Sequence, residues 1–129
     1  MLTAANISFK ENIMAIIRIK NLKLRTIIGT NDWEREHKQD VVINVIIEYD
    51  AAGAIASDNL KDATDYKKIT KKIIKAVETS HFFLLEKLTK MILDIVMKEA
   101  LVKEATVRVD KPFALRFSDS VSLELHGKK

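Results

Sequence analysis

The chain has 129 residues, of which 47% are hydrophobic and 31% charged, with three glycines, one proline and no cysteine. This composition predicts one compact domain and excludes a collagen-like, linker-rich or disordered chain. The absence of cysteine excludes disulfides, thiolate metal ligands and thiol nucleophiles, and it fits a reducing cytoplasm. The net charge of +4 suits an anionic partner, although a charge of this size also serves solubility alone.

The first residues carry no targeting pattern. Residues 1–13 lack the basic start, apolar centre and small-residue cleavage site of a signal peptide. We predict that they form a poorly ordered extension and that one folded domain covers residues 14–129. Asn44 interrupts the apolar run at 41–47, which is far shorter than the roughly 20 residues of a membrane span. We therefore expect a cytoplasmic protein without a membrane partner.

Two early segments alternate apolar and polar residues, which predicts two strands. The first segment switches parity part-way, with apolar residues at Ile17 and Ile19 and then at Leu22, Leu24 and Ile28. A switch near Lys20 and Asn21 predicts a β-bulge or a strand that changes the face it buries. Gly29 ends this strand, and the second strand, residues 41–49, is substantially apolar on both faces.

After a polar connection over residues 50–65, the apolar period changes from two to nearly four. The first stripe consists of Ile69, Ile73, Ile74 and Val77, and the second of Leu84, Leu85, Leu88, Met91, Ile92, Ile95 and Val96. A break at residues 79–81 separates the two predicted helices. The period then returns to two in two further segments, at residues 105–110 and 120–125. This order predicts an α+β domain with a four-stranded antiparallel sheet and both helices on one face.

Two helices cover only one face of such a sheet. Val42 and Ile46 lie on the other face of the second strand, and a flat sheet also has two unpaired edges. We therefore predict a homo-oligomer in which sheet edges pair between subunits.

Four polar residues stand at the ends of the predicted elements, where binding groups concentrate: Glu34, Tyr66, Glu86 and Lys111. Each has an ordinary structural explanation. Glu86 is a carboxylate in the first turn of a helix, Lys111 a solvated turn residue, Tyr66 a half-buried ring, and Glu34 one charge in a charged loop. Taken one at a time, the structural explanation is favoured for each residue.

Four stretches carry a resemblance to a known family. They read I-K-N-L-K-L-R-T at 19–26, Q-D-V-V-I-N at 39–44, F-L-L-E-K-L-T at 83–89 and D-K-P-F-A-L-R-F at 110–117. Over residues 15–127 the chain resembles the dihydroneopterin aldolase family, especially its dihydroneopterin triphosphate 2'-epimerase branch. The resemblance implies the tunnelling fold, in which four subunits close a sixteen-stranded barrel and two such rings stack into an octamer.

By position, the resemblance implies a pterin site between neighbouring subunits that needs no metal or added cofactor, because the pterin ring accepts the electrons. Glu86 would bind the pterin together with the main chain at Leu85. Lys111 would transfer protons through water, and Tyr66 would contact the reacting side chain and exchange a proton with it. Glu34 would orient water or the lysine.

The resemblance leaves two reactions open. An epimerase would interconvert dihydroneopterin and dihydromonapterin triphosphates by retro-aldol cleavage and readdition, with Arg25 and Arg116 as candidate triphosphate contacts. An aldolase would release glycolaldehyde and 6-hydroxymethyl-7,8-dihydropterin in folate biosynthesis. The stretches around Arg25 and Arg116 resemble the epimerases, whereas the loop at 32–34 resembles the aldolases.

Metal-dependent and nucleic-acid-binding functions receive less support. The three histidines, His37, His81 and His126, are widely spaced and no cysteine accompanies them, so we expect no zinc site. A nucleic-acid-binding module would exploit the basic face of the first predicted helix, which consists of Lys67, Lys68, Lys71, Lys72 and Lys75. Interleaved stacking aromatics are missing, and a solvated helix face explains these lysines equally well, so we expect no nucleic-acid partner.

Overall fold

The structure, a computed structural model, describes residues 12–129. Apart from its last two residues, the predicted extension at 1–13 lies outside the described part of the chain. In order, the elements are β1 (Met14–Ile28), α1 (Asp32–Glu36), β2 (Gln39–Asp50), α2 (Ala52–Ser57), a 3-10 turn (Leu60–Asp62), α3 (Tyr66–Glu78), β3 (His81–Phe82), α4 (Leu85–Met97), β4 (Val102–Pro112) and β5 (Ser120–Lys128).

The sheet has the strand order β3-β1-β2-β4-β5. Its four long strands are antiparallel neighbours, which confirms the predicted α+β architecture. The sheet differs from the prediction by a fifth strand, β3, which pairs in parallel with Ile27 and Ile28. A two-residue strand is too short to produce an alternating pattern, and for the same reason the short helices α1 and α2 were not predicted.

A β-bulge in β1 accounts for the switch of parity. The pairing with β2 shifts between Ile19 and Leu22, and Asn21 adopts a left-handed conformation with φ of 52°. Asn is one of the few residues that enter this region readily. The backbone amide of Asn21 donates to Asn44 Oδ1 at 3.0 Å, and Asn44 Nδ2 donates to Asn21 Oδ1 at 3.2 Å. This pair fixes the bulge, so both halves of β1 bury their apolar residues on the same face.

The core lies between the sheet and the two long helices. Its helical side chains are Ile69, Ile73 and Val77 of α3 and Leu88, Ile92, Leu93 and Val96 of α4. These residues pack against buried aliphatic residues of β1, β2 and β4. α3 lies over β1, whereas α4 lies over β4 and β5. Within residues 12–129, none of the helices has the length and apolar character that a membrane crossing needs.

The opposite face and the two edges of the sheet lack cover within the described chain. Val42 and Ile46 are only half-buried on that face, and Ile16 of β1 is 49% exposed. β3 pairs with β1 only at Ile27–Ile28, so the rest of the outer edge of β1 has no neighbouring strand in residues 12–129. The outer edge of β5 is open in the same way.

Candidate active site

Glu34 and Lys111 form an ion pair at one end of the sheet, although they are 77 positions apart in sequence. Their side chains are only 14% and 11% exposed, respectively. The sequence pattern predicted a loop for Glu34 and a turn for Lys111. The structure instead places Glu34 on α1 and Lys111 near the end of β4, on the face that carries the core.

Local hydrogen bonds hold the Glu34 carboxylate in place. Asn31 caps α1 by accepting a hydrogen bond from the Glu34 amide at 2.9 Å, and its own amide donates to Glu34 Oε1 at 3.4 Å. This reciprocal arrangement is a capping box. Gln39 Nε2 donates both to Glu34 Oε2, at 3.1 Å, and to the carbonyl of Ile28, at 2.7 Å. The carboxylate is therefore oriented by three neighbours: Lys111, Gln39 and Asn31.

These neighbours decide the ionisation of Glu34. Burial alone raises the pKa of the carboxyl group, because it penalises the charged form. The hydrogen bonds from Lys111, Gln39 and the Asn31 amide, together with the lysine charge, act in the opposite direction and outweigh burial. The pKa of Glu34 therefore lies below its ordinary value of 4.5, and the group is a carboxylate at neutral pH.

Gly29 makes room for this carboxylate. Its φ of 134° is a backbone conformation that residues with side chains rarely adopt. A Cβ atom at this position would lie 2.2 Å from both Cδ and Oε1 of Glu34. Glycine is thus required both by the turn after β1 and by the close approach of the Glu34 side chain.

Arg35 links α1 and the turn at Gly29 to the segment that precedes α4. Its guanidinium donates to the carbonyls of Gly29 at 3.0 Å, Phe82 at 2.9 Å and His81 at 2.7 Å. It also lies 3.9 Å from the centre of the Phe83 ring, a cation–π contact. No pattern in the sequence indicates this role, because the partners are backbone carbonyls, two of them 46 and 47 positions away.

Glu86 and Leu85 lie in the first turn of α4, where the sequence predicted them. Glu86 is exposed and Leu85 half-buried. The helix-capping residue, Leu84, offers no side-chain acceptor to the first backbone amides of the helix. Because β3 pairs with the end of β1 and leads directly into α4, this turn belongs to the same end of the subunit as the Glu34–Lys111 pair.

Tyr66 lies at the other end of the subunit. It is the first residue of α3 and is 52% exposed. α3 has 13 residues and leads to β3, so the helix separates Tyr66 from β3 by about 20 Å at about 1.5 Å per residue. One chain therefore brings together Glu34, Lys111 and the start of α4, but not Tyr66.

The two arginines predicted to contact phosphate differ in their surroundings. Arg25 Nε lies 3.2 Å from Asp40 Oδ1, and its Nη2 donates to the carbonyl of Lys38 at 2.9 Å. Arg116 lies in an exposed loop, 5.2 Å from the ring centre of Phe117, and has no carboxylate partner among residues 12–129. In that range, no three histidine, aspartate or glutamate side chains are grouped as metal ligands would be.

Comparison with known proteins identifies the family. The family model described as FolB, dihydroneopterin aldolase, matches residues 17–126. The chain is 50% identical over 116 residues to the dihydroneopterin triphosphate 2'-epimerase of Pseudomonas aeruginosa, covering 90% of this chain and 94% of that protein. It is 51% identical over 115 residues to the Escherichia coli protein of the same name, covering 89% and 96%. The chain belongs to the dihydroneopterin aldolase family.

Solved structures agree with this assignment. A dihydroneopterin aldolase (FolB) from Vibrio cholerae superimposes with a TM-score of 0.85 at 27% identity, covering 90% of this chain and 98% of that one. A Burkholderia dihydroneopterin aldolase bound to guanine superimposes with a TM-score of 0.78 at 25% identity, covering 90% and 92%. These similarities confirm the predicted fold of the single chain.

We expect the substitution Gly29→Ala to destabilise the protein by about 1–3 kcal/mol, because it imposes backbone strain and displaces the Glu34 carboxylate. Urea unfolding measures the loss of stability. The matched control is Gly53→Ala in α2, where the nearest atom to an added Cβ would be 3.8 Å away. The control should retain full stability, and equal stability of the two variants would contradict the close approach at Gly29.

We expect Glu34 to contribute to the pH dependence of stability. Because its pKa is lowered in the folded state, the unfolded chain binds more protons between the two pKa values, so stability rises with pH there. The contribution is fully present above the ordinary pKa of 4.5 and is lost as the pH falls through the folded value. The free energy of unfolding, measured with urea between about pH 3 and 6, should therefore depend less steeply on pH in Glu34→Gln than in the wild-type protein.

The control for this experiment is Glu36→Gln, which removes the same charge from an exposed position on the same helix. It should keep the acid dependence of the wild-type protein. An unchanged slope in Glu34→Gln would refute the effect of the ion pair on ionisation.

Proposed function

We propose that the protein is a dihydroneopterin triphosphate 2'-epimerase, which interconverts 7,8-dihydroneopterin triphosphate and 7,8-dihydromonapterin triphosphate. The observation that carries the proposal is the identity of about one half, over nine-tenths of the chain, to the two proteins of that name. A 7,8-dihydroneopterin aldolase is the second candidate, because the family model and the neighbouring structures carry that description.

Glu86 is the proposed anchor for the pterin ring. A pterin presents a ring N–H beside an exocyclic amino group, and one carboxylate can accept both hydrogen bonds. Guanine presents the same donor pair, and the Burkholderia relative is described as bound to guanine. The exposed position of Glu86 and the lack of a side-chain cap on α4 support this role, because backbone amides near Leu85 remain to meet the acceptors of the ring.

Lys111 is the proposed proton-transfer group. The reaction removes the proton of the 2'-hydroxyl and breaks the C1'–C2' bond, and the electron pair of that bond enters the pterin ring. Readdition to the opposite face of the aldehyde reforms the bond and inverts C2'. The ion pair supports a role for Glu34 in orienting the Lys111 ammonium group, which delivers a proton to the pterin ring, directly or through water, as the electron pair arrives there. Water takes up the 2'-hydroxyl proton with Tyr66 as the relay, and both transfers reverse on readdition.

Tyr66 is proposed to come from a neighbouring subunit. In one chain it lies at the end of α3 that is remote from the Glu34–Lys111 pair. α3 lies over β1 and α4 over β4 and β5, and the outer edges of β1 and β5 are open in the described chain. Pairing β1 of one subunit with β5 of the next sets the α3 of one subunit beside the α4 of its neighbour. The strands of a closed barrel are tilted and pair with a stagger, and this stagger is what would bring Tyr66 along the barrel axis toward the start of the neighbouring α4. Repetition of this contact gives the proposed ring, and two four-subunit rings form the proposed octamer.

Product analysis tests the reaction. With 7,8-dihydroneopterin triphosphate as substrate, we expect chiral chromatography to detect the monapterin epimer. Release of glycolaldehyde triphosphate without any epimer would instead assign the aldolase reaction.

Two substitutions separate binding from proton transfer. Lys111→Ala should lower kcat by about 10²–10⁴-fold with a modest change in pterin affinity. Glu86→Ala should mainly weaken pterin binding, which fluorescence titration measures. Lys98→Ala, which removes a charge from an exposed residue after α4, should leave both quantities unchanged. Wild-type kcat in Lys111→Ala, or wild-type affinity in Glu86→Ala, would contradict the assigned role.

Subunit mixing tests the shared site. We expect Lys111→Ala and Tyr66→Phe subunits each to have strongly reduced activity alone. A mixed ring, however, would contain interfaces that combine the intact Lys111 of one subunit with the intact Tyr66 of the next. Random mixing should restore about a quarter of the sites. The control mixes Lys111→Ala with Glu86→Ala, whose lesions lie at the same end of the chain, and should restore none. Failure of the first mixture to recover activity, in oligomers shown to be mixed, would contradict a shared site.

A further inference from the structure

A basic cleft adjoins Tyr66 at the start of α3. It has a volume of about 560 Å³ and is lined by Leu60, Asp65, Tyr66 and four lysines, Lys67, Lys68, Lys71 and Lys72. Asp65 is its only carboxylate, and that side chain already accepts a hydrogen bond from the Lys68 amide at 3.1 Å as the cap of α3. The cleft therefore combines a strong positive charge with one aromatic hydroxyl.

The lysines are not explained by local ion pairing. Lys72 lies 3.5 Å from Glu99, but Lys67, Lys68 and Lys71 have no carboxylate partner in the described chain. The first turn of α3 contains no acidic residue, so two lysines face the positive end of the helix dipole. Lys67 and Lys71 are also like charges four positions apart, which destabilises a helix. An anion bound in the cleft would offset both the unfavourable position of the lysines in the helix dipole and the repulsion between Lys67 and Lys71.

A neutral donor also lies at this end of the subunit. Thr64 is 5% exposed, and its hydroxyl oxygen is buried without a hydrogen-bond partner in the part of the chain that the structure describes. It lines an adjoining cavity of about 460 Å³ that shares Asp65 and Lys68 with the basic cleft. Buried hydroxyls normally find a partner. Because this oxygen is buried and lines the adjoining cavity, a ligand oxygen would reach it only after local rearrangement, and the lysines of the cleft carry the main argument.

We propose that this cleft binds the triphosphate group of the substrate, with Lys67 and Lys71 as its main contacts. The inference rests on the proposed function, since it takes Tyr66 to contact the three-carbon side chain of the pterin. The triphosphate is attached to the end of that side chain, next to Tyr66. Lys67 is the adjacent residue, and Lys71 lies about 6 Å further along the helix, roughly one turn away. Lysine ammonium groups bind phosphate oxygens as point charges.

The two arginines of the sequence prediction are the alternative contacts. Arg25 is already engaged by Asp40, whereas Arg116 lies in the exposed loop between β4 and β5. The lysines of α3 are both less neutralised than Arg25 and adjacent to Tyr66, which favours the cleft.

The test compares a phosphorylated with an unphosphorylated ligand. The variant is Lys67→Gln/Lys71→Gln, which removes two charges while keeping good helix formers. We expect the ratio of KM for dihydroneopterin triphosphate to KM for dihydroneopterin to rise at least tenfold. The matched control is Lys75→Gln, an exposed lysine on the same helix that does not line the cleft, and its ratio should equal that of the wild type. An unchanged ratio in the double variant, or a rise only in Arg25→Ala or Arg116→Ala, would overturn the proposal.

A second measurement separates this inference from the proposed reaction. Inorganic tripolyphosphate is titrated calorimetrically into the wild-type protein and the double variant, with no turnover required. We expect at least tenfold weaker binding by the double variant, even if the wild-type protein proves to be an aldolase. Equal tripolyphosphate binding by the two proteins would reject the cleft while leaving the proposed pterin chemistry intact.

Discussion

The ion pair between Glu34 and Lys111 constrains the end of the subunit that carries the candidate active site. Both side chains are almost removed from water, and a buried charge is strongly unfavourable unless a partner and hydrogen bonds compensate for it. Removal of one partner destabilises the folded chain, because the other charge is left without its compensating partner. The turn after β1 and the end of β4 must therefore keep a fixed position relative to each other. The same contact that orients the proposed catalytic lysine also holds two distant segments together.

Hydrogen bonds around this pair extend the constraint to the proposed pterin anchor. Gln39 links the Glu34 carboxylate to the backbone of β1, and Arg35 links the turn at Gly29 to β3. Since β3 leads directly into α4, the position of Glu86 depends on the same network. Most of these partners are backbone groups of regular elements, which hold functional side chains more precisely than mobile loops do.

Hydrophobic periodicity predicted the parts of the fold that are long enough to repeat. It located the four long strands and the two long helices, because each buries one regular face. It also marked the parity switch near Lys20 and Asn21, for which the structure selects the bulge over a change of buried face. It could not locate β3, α1 or α2, which have from two to six residues. The network around Arg35 was equally hidden, because its acceptors are main-chain carbonyls that no side-chain pattern records.

The site residues were predicted by a different route. Periodicity only marked Glu34, Tyr66, Glu86 and Lys111 as exceptions at element ends, and the family resemblance supplied their roles. One further signal was present in the sequence: the buried alternation of Val107 and Val109 continues to Lys111. Lysine is so rarely buried that the pattern predicts the end of the strand before Lys111. The burial of Lys111 becomes understandable only with its partner, which the sequence does not place nearby.

The separation of Tyr66 from the Glu34–Lys111 pair would give the proposed assembly a role in the chemistry. A helix of fixed length holds the tyrosine and the basic cleft at one end of a subunit, and Glu86 lies at the other. In the proposed ring, the pterin ring of a substrate would contact one subunit while its triphosphate contacts the next. A ligand that binds across an interface stabilises that interface by mass action. Substrate binding and subunit association are then thermodynamically linked, and the lysines that destabilise an isolated helix contribute favourably in the occupied assembly.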